Sequence, residues 1–182
     1  MRATLNLEND HVHILKLCQV MEQMAHAGNI NPEHLEWIVS LVRNFADGLH
    51  HKKEEELLFP KLAEKGFSPV HGPVAVMLQE HEEGRNFIRD IAGNITLYRS
   101  GDEGAAGSVH AGLLGYAGLL KNHIAKENNI LFRMADNALS SEEQEDLSAE
   151  FKKAEESMTP GGSSSYYIAQ IEELTKIYGS DK

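Results

Sequence analysis

Apolar residues recur every three to four positions along most of the chain, and this spacing predicts long amphipathic helices. The first apolar stripe joins Leu7, Ile14 and Met21, and the same stripe carries His11 and Cys18. A polar histidine on a stripe that faces a core needs either a hydrogen-bonding partner or a ligand. The pattern therefore predicts helices first and draws attention to their histidines second.

Glycine, proline and capping residues divide the pattern into four long helices and a shorter tail. The long helices are predicted over about residues 4–27, 31–66, 72–100 and from the end of the Gly/Ala-rich stretch 104–108 to about residue 138. A capping box at Ser140 or Ser141 predicts a fifth helix to about residue 157. The linker-like run 159–165 follows, and then a last short helix over residues 166–178.

The predicted fold class is all-α, because no alternation with a period of two persists anywhere in the chain. Four long helices are packed most simply as an antiparallel up-down four-helix bundle, which is assigned here to residues 1–139. Residues 140–182 are expected to form a C-terminal helical extension of one or two helices on or near the bundle.

One histidine falls on each long helix, in or beside the apolar stripe. These residues are His11, His50, His81 and His123. Two of them belong to a repeated motif, H-x-x-x-E-x-x-x-L-F, in which His50 is followed by Glu54 and His123 by Glu127. Residues four apart lie on the same helical face, so each pair can reach one ion. Metal sites in bundles are built from such inward-facing side chains.

Two alternatives exist for the candidate ligands. His51 and Glu55 form a second H-x-x-x-E pair, offset by one residue, but the His50 register aligns the two Leu-Phe pairs of the repeat. His13 competes with His11, which is preferred because it lies on the apolar stripe. Cys18 is interpreted as a small buried hydrophobic residue.

Composition narrows the classes of function. The formal net charge of −11, with no Lys/Arg stripe, makes nucleic acid an unexpected partner. Cys18 is the only cysteine, so no internal disulfide is possible. No apolar run approaches the roughly 20 residues of a membrane span, and a cytoplasmic protein without membrane contact is predicted.

Imidazoles and carboxylates without a thiolate favour redox-active iron, with zinc or manganese as possible substitutes. The predicted centre holds two ions. Glu54 and Glu127 would bridge them, His11 and His50 would bind one ion, and the remaining two histidines would bind the other. The His comes first in both pairs and the spacing is four, unlike the Glu-x-x-His of ferritin-like proteins.

The chain resembles the hemerythrin-like, or HHE cation-binding, family over roughly residues 4–138. The matching segments are 10–14, 50–60, 72–82 and 123–132. The resemblance implies an up-down bundle around a non-haem di-iron centre, and by motif position it implies six ligands: His11, His50, Glu54, His81, His123 and Glu127.

One position departs from the pattern of the oxygen-carrying hemerythrins, which have a further histidine four residues after the third-helix histidine. Here that residue is Arg85. The departure implies an open position on both ions and argues against simple oxygen carriage. Arg85 is expected either to stabilise a bound anion or to form a salt bridge with Glu82 or a neighbouring helix. Tyr116, two turns before His123, is a candidate hydrogen-bond donor near the centre.

Three classes of function remain open. The leading hypothesis is a di-iron protein that binds or senses oxygen, nitric oxide or peroxide, or that handles iron. The second is an enzyme that reduces peroxide or nitric oxide at the open sites, and the third is a metal-dependent regulatory module whose protein partner the sequence leaves unidentified.

Overall fold

The computed structural model describes residues 2–157 and 164–179, and these residues form helices without any β-strand. The all-α prediction is confirmed. The α-helices are α1 (Thr4–His26), α2 (Pro32–Leu41), α3 (Phe59–Glu64), α4 (Pro73–Arg99), α5 (Glu103–Lys126), α6 (Phe132–Ala138), α7 (Ser141–Glu156) and α8 (Ser164–Tyr178). Three π-helical segments interrupt this series: π1 (Val42–His51), π2 (Glu54–Leu58) and π3 (Glu127–Leu131).

The second and fourth predicted helices are each continuous through their π-helical segments. The second extends from Pro32 to Glu64 through π1 and π2, and the fourth extends from Glu103 to Ala138 through π3. A π-helix has i→i+5 hydrogen bonds and occurs frequently at functional sites. Two of the three segments begin at the glutamates of the repeated motif, so the local geometry changes where the candidate ligands lie.

Helix starts follow the predicted capping residues. The Asn31 side chain accepts a hydrogen bond from the Glu33 amide, and Pro32 occupies the first turn of α2. Ser140 and Glu143 form a complete capping box before α7. The predicted linker falls largely on residues 158–163, which lie outside the described residues.

The prediction that the fourth helix begins only after residue 108 was wrong. Asp102 is the N-cap of α5, and its carboxylate accepts a hydrogen bond from the Ala105 amide at 2.7 Å. A good cap stabilises a helix by roughly 1 kcal/mol, which is about the cost of one of the two glycines, Gly104 and Gly107. The Gly/Ala-rich stretch therefore belongs to the helix and begins within its first turn.

Two apolar clusters lie on either side of a polar layer. On α1 the order is Leu7 in one cluster, then His11, then Ile14 in the other cluster. The second and fourth long helices cross the same three layers in the opposite order, and α4 crosses them in the order of α1. The candidate ligands thus lie in the middle of the molecule, between two packed cores.

Both C-terminal helices pack onto this body. Leu147 and Phe151 of α7 belong to the cluster that contains Leu7. Tyr167 and Ile171 of α8 belong to the other cluster. Among the described residues, no helix combines the length and apolar character that a membrane crossing requires.

Candidate metal centre

The structure brings all six predicted ligands into the polar layer. Each is at most 1% exposed, although all are polar or ionisable: His11, His50, Glu54, His81, His123 and Glu127. His51 joins them and is 3% exposed. In the described part of the chain these residues form two groups able to hold a metal ion, with the potential ligand atoms of each group within 4.8 Å of one another: His11, His50, Glu54 and Glu127; and His51, Glu54, His81 and His123.

The five imidazoles share one arrangement, in which Nδ1 donates a hydrogen bond to a side-chain oxygen. The donor–acceptor pairs are His11 with Asn128 at 2.8 Å, His50 with Asp10 at 3.3 Å, His51 with Asp47 at 3.3 Å, His81 with Glu55 at 2.7 Å and His123 with Glu80 at 3.0 Å. Carboxylate and amide oxygens accept, so in the neutral imidazole the proton lies on Nδ1. In that tautomer Nε2 keeps a lone pair, which is the form that binds a metal.

Four of these Nε2 atoms lie close to one another, two by two. The Nε2 atoms of His11 and His50 are 3.0 Å apart, and those of His81 and His123 are 3.1 Å apart. With the proton on Nδ1, neither atom of a pair can donate to the other. Two nitrogen ligands about 2.1 Å from one metal ion and about 90° apart would be separated by about 3.0 Å. The observed separations therefore fit two imidazoles that share an ion.

The two glutamates lie between the imidazole pairs. The Glu54 oxygens are 3.7 Å from Nε2 of His50 and 3.4 Å from Nε2 of His81. One Glu127 oxygen is 3.2 Å from Nε2 of His11 and 3.3 Å from Nε2 of His123. No described residue donates a well-oriented hydrogen bond to any of the four carboxylate oxygens. Unsatisfied buried carboxylates between two nitrogen pairs have the arrangement of bridging ligands.

The electrostatics of the protein alone show what a cation would replace. Burial and the adjacent charge of Glu127 raise the pKa of Glu54 well above its ordinary value. Burial lowers the pKa of His50 to about 4, so this imidazole is neutral at pH 7. Burial also disfavours charge on His123, but the nearby charge of Glu127 and the hydrogen bond to Glu80 raise its pKa to about 9. Protons on His123 and Glu54 thus balance charge that metal ions would balance in their place.

The polar layer has an internal two-fold pattern. In each half of the chain an acidic residue precedes a candidate ligand histidine, and the next long helix carries H-x-x-K-E. The matched residues are Asp10–His11 with Glu80–His81, and His50–Lys53–Glu54 with His123–Lys126–Glu127.

The contacts repeat as well as the residues. Lys53 donates to Asp10 at 2.6 Å, and Asp10 accepts from His50 Nδ1. In the other half Lys126 donates to Glu80, which accepts from His123 Nδ1. The lysine of the repeat therefore holds the carboxylate that orients the histidine of the same repeat. This lysine–acid–histidine relay explains why both copies of the motif contain the lysine.

The two relays differ in their surroundings. Lys53 has a fully buried side chain and also donates to Asn6 at 2.7 Å and to Glu155 of α7 at 2.9 Å. Lys126 has a side chain that is 38% exposed. Helix α7 thus covers one relay and is linked through it to His50.

Arg85 and Tyr116 lie beside the centre. Arg85 donates to Asp47 at 2.9 Å and to Glu55 at 2.6 Å, so it joins the carboxylates that orient His51 and His81. Tyr116 is 1% exposed. Arg85, Tyr116, His51 and His81 all line a cavity of about 210 Å³.

Sequence reasoning did not assign roles to the orienting residues. Asp10 and Glu80 have a recognisable signal, since each immediately precedes a candidate ligand histidine. Asn128 and Glu55 have another, since each immediately follows a candidate bridging glutamate. Their positions in the sequence do not identify them as hydrogen-bond acceptors, because the histidines that donate to them lie 26 to 117 residues away in the chain.

Comparison with known proteins shows what this chain is similar to. The model of a family described as Hemerythrin HHE cation binding domain matches residues 3–135. The chain is 29% identical over 126 residues to the iron-sulfur cluster repair protein YtfE of Edwardsiella ictaluri, covering 67% of this chain and 56% of that protein. It is 33% identical over 127 residues to the iron-sulfur cluster repair protein DnrN of Neisseria gonorrhoeae, covering 65% and 75%. It is 24% identical over 115 residues to the uncharacterized protein Mb2018 of Mycobacterium bovis, covering 63% and 44%. The chain thus spans about half the length of the first and third of these relatives. No solved structure matches it.

Proposed function

Because the chain belongs to the hemerythrin HHE cation-binding family, we propose that it is a non-haem di-iron protein that binds or senses oxygen, nitric oxide or peroxide or that handles iron. The proposed ligands are His11 and His50 on one ion and His81 and His123 on the other, with Glu54 and Glu127 as bridges. Imidazole and carboxylate donors suit iron, and zinc or manganese would fit the same donors.

The observation that carries this proposal is the convergence of buried, unshared lone pairs. Four Nε2 atoms approach one another in pairs, and both bridging carboxylates lack donors among the described residues. Burial of such groups without a compensating partner costs several kcal/mol. A pair of cations satisfies all of them at once.

The residues around the ions supply orientation. The Nδ1 hydrogen bonds fix each imidazole in one tautomer and direct Nε2 inward. The relays through Lys53 and Lys126 hold two of the accepting carboxylates in place. The apolar clusters on either side exclude water from the layer. Iron, when bound, supplies a redox-active centre to which a small exogenous ligand can add.

Anaerobic loading with ferrous iron, followed by metal analysis, tests the proposal. Wild type should retain two irons per chain, and Glu54→Ala combined with Glu127→Ala should lose them. Glu56→Ala with Asn129→Ala is the matched control, because both side chains are exposed on the same helical stretches. One iron or fewer in wild type, or full retention in the double variant of the bridges, would contradict the di-iron centre.

For the physiological role we favour iron handling, since two of the relatives are named iron-sulfur cluster repair proteins. The iron-loaded protein should donate iron to a cluster protein that has lost iron after nitric oxide treatment, with sulfide and a reductant present. Cluster recovery is read from visible absorption, with free ferrous iron at equal concentration as the comparison. Recovery no faster than with free iron, together with a stable optical adduct of oxygen, nitric oxide or peroxide, would favour binding or sensing. Steady turnover of peroxide or nitric oxide would instead support the enzyme hypothesis.

We also propose that the four long helical stretches form an antiparallel up-down bundle over residues 1–139, with residues 140–182 as an extension. The alternating order in which successive helices cross the two apolar clusters supports this arrangement. Packing of α1 and α4 against α5 supports it too.

A further inference from the structure

The two-fold pattern of the centre is broken beside one imidazole pair, that of His81 and His123. Three polar residues have apolar counterparts at the matching positions of the other half: His51 corresponds to Ile124, Asp47 to Leu120, and Arg85 to Leu15. The three polar residues are in contact with one another, since Asp47 accepts hydrogen bonds from both His51 and Arg85. One side of the repeated centre therefore has an additional imidazole, that of His51, which is held by Asp47 and through it by Arg85.

The position of His51 is explained by π1, which ends at this residue. In a regular α-helix successive side chains point about 100° apart. A π-helix has more residues per turn, so the angle between neighbours is smaller. His50 and His51 are thus both buried, at 1% and 3% exposure, although they are adjacent in the chain.

The His51 ring lies against the second imidazole pair. Its centroid is 3.8 Å from that of His81 and 5.7 Å from that of His123. Asp47 accepts a hydrogen bond from Nδ1 of His51, so Nε2 of His51 carries the lone pair. Among the described residues, His51 belongs to the group of potential ligands formed with Glu54, His81 and His123.

We propose that His51 is a fifth imidazole ligand, binding through Nε2 to the ion that His81 and His123 hold. This inference rests on the proposed di-iron function. It makes the two ions unequal, with three imidazoles on one and two on the other. The open coordination position then belongs to the ion of His11 and His50, and the absent histidine at position 85 is replaced from another helix.

Cobalt(II) titration tests this assignment, because it reports both metal affinity and coordination number. Wild type should bind two cobalt ions. His51→Phe keeps a ring against His81 but has no nitrogen. It should lower the affinity for one of the two cobalt ions at least about tenfold, which is the lower bound seen for loss of a supporting residue at metal sites. Its visible absorption should strengthen, since a lower coordination number intensifies cobalt bands. Ile124→Ala, at the matching position beside the other ion, should leave both affinities within about twofold.

Chemical rescue separates a ligand from a packing residue. His51→Ala enlarges the adjacent cavity of about 210 Å³, and added imidazole should restore the affinity and the spectrum of wild type. Pyrrole has a similar size but no basic nitrogen, and it should restore neither. Circular dichroism of the metal-free variants verifies that they fold.

The outcomes are distinct. Wild-type affinity and spectrum in His51→Phe, or equal rescue by pyrrole, would overturn the assignment and leave the di-iron centre intact. Fewer than two cobalt ions in wild type would overturn the di-iron proposal and this inference together.

Discussion

Lys53→Met removes the charge at the centre of the buried relay while it keeps an apolar side chain of similar length. The Lys53 ammonium donates to Asn6, Asp10 and Glu155, and the side chain is fully buried. Burial raises the pKa of the Asp10 carboxyl, but the hydrogen bond and charge of His50 and the charge of Lys53 offset this and hold the pKa below its ordinary value. Without the lysine, Asp10 keeps only His50 as a partner among these groups.

The expected loss of stability follows from this burial. Removal of one partner from a buried ion pair costs about 3–5 kcal/mol. Glu155 is 30% exposed and can be solvated again, so a value near the lower end, about 3 kcal/mol, is expected. In a chain of this size that lowers the melting temperature by about 6–12 °C.

The internal repeat supplies the control. Lys126 occupies the matching position and contacts Glu80, but its side chain is 38% exposed. Exposed pairs contribute about 0–1 kcal/mol, so Lys126→Met should lower the melting temperature by less than about 4 °C.

The assay is urea unfolding and thermal melting of both variants in the metal-free form, with wild type alongside. Limited proteolysis should also cut α7 faster in Lys53→Met, because the link to Glu155 is lost. Equal destabilisation by the two substitutions, or a loss below about 1 kcal/mol for Lys53→Met, would refute the argument from burial.

Three further predictions concern metal, pH and the thiol. Chelation, with metal loss confirmed by analysis, should lower the melting temperature by about 5–11 °C, because binding at a hundredfold excess over the dissociation constant stabilises the native state by about 2.7 kcal/mol; an unchanged value would contradict a buried site. The pKa of His123 is raised to about 9, so its imidazole is protonated at pH 7 and must lose that proton to bind metal. Metal affinity should therefore rise between pH 7 and pH 9, as measured by competition with a chelator of known pH dependence, and a flat profile would count against this. Burial raises the pKa of Cys18 to about 12; the thiol should resist an aromatic disulfide reagent at pH 8 until urea unfolds the protein, and rapid reaction of the native protein would disprove its burial.

The sequence was sufficient for the presence of the helices and for the family, because both depend on local spacing, but it placed the start of the fourth long helix too late. Apolar periodicity and capping residues placed Ser140 and Pro32 at helix starts. The resemblance to the hemerythrin-like family is confirmed by a family match over residues 3–135. The metal-binding role of the six candidate ligands stays a prediction, although the structure gathers them in one buried layer.

What the sequence could not supply depends on geometry between helices. His51 was set aside because the His50 register aligns the two Leu-Phe pairs of the repeat, and no periodicity reveals the π-helical segment that ends at His51. The sequence left two roles open for Arg85, an anion site and a salt bridge. In the structure Arg85 forms salt bridges with Asp47 and Glu55. The relay from Glu155 to His50 joins residues about a hundred positions apart, which spacing rules do not address.

The π-helical segments that begin at Glu54 and Glu127 also determine where the chain tolerates a change in length. Each widened turn holds one residue more than an α-helical turn, because its hydrogen bonds join residues five apart. Deletion of the exposed Asn129 within π3 is therefore absorbed when the turn closes to i→i+4 hydrogen bonds, and Phe132 keeps its buried direction. Deletion of one residue in the regular helix α5 would instead rotate everything that follows it by about 100°. The two π-helical turns thus hold a spare residue beside each candidate bridging glutamate.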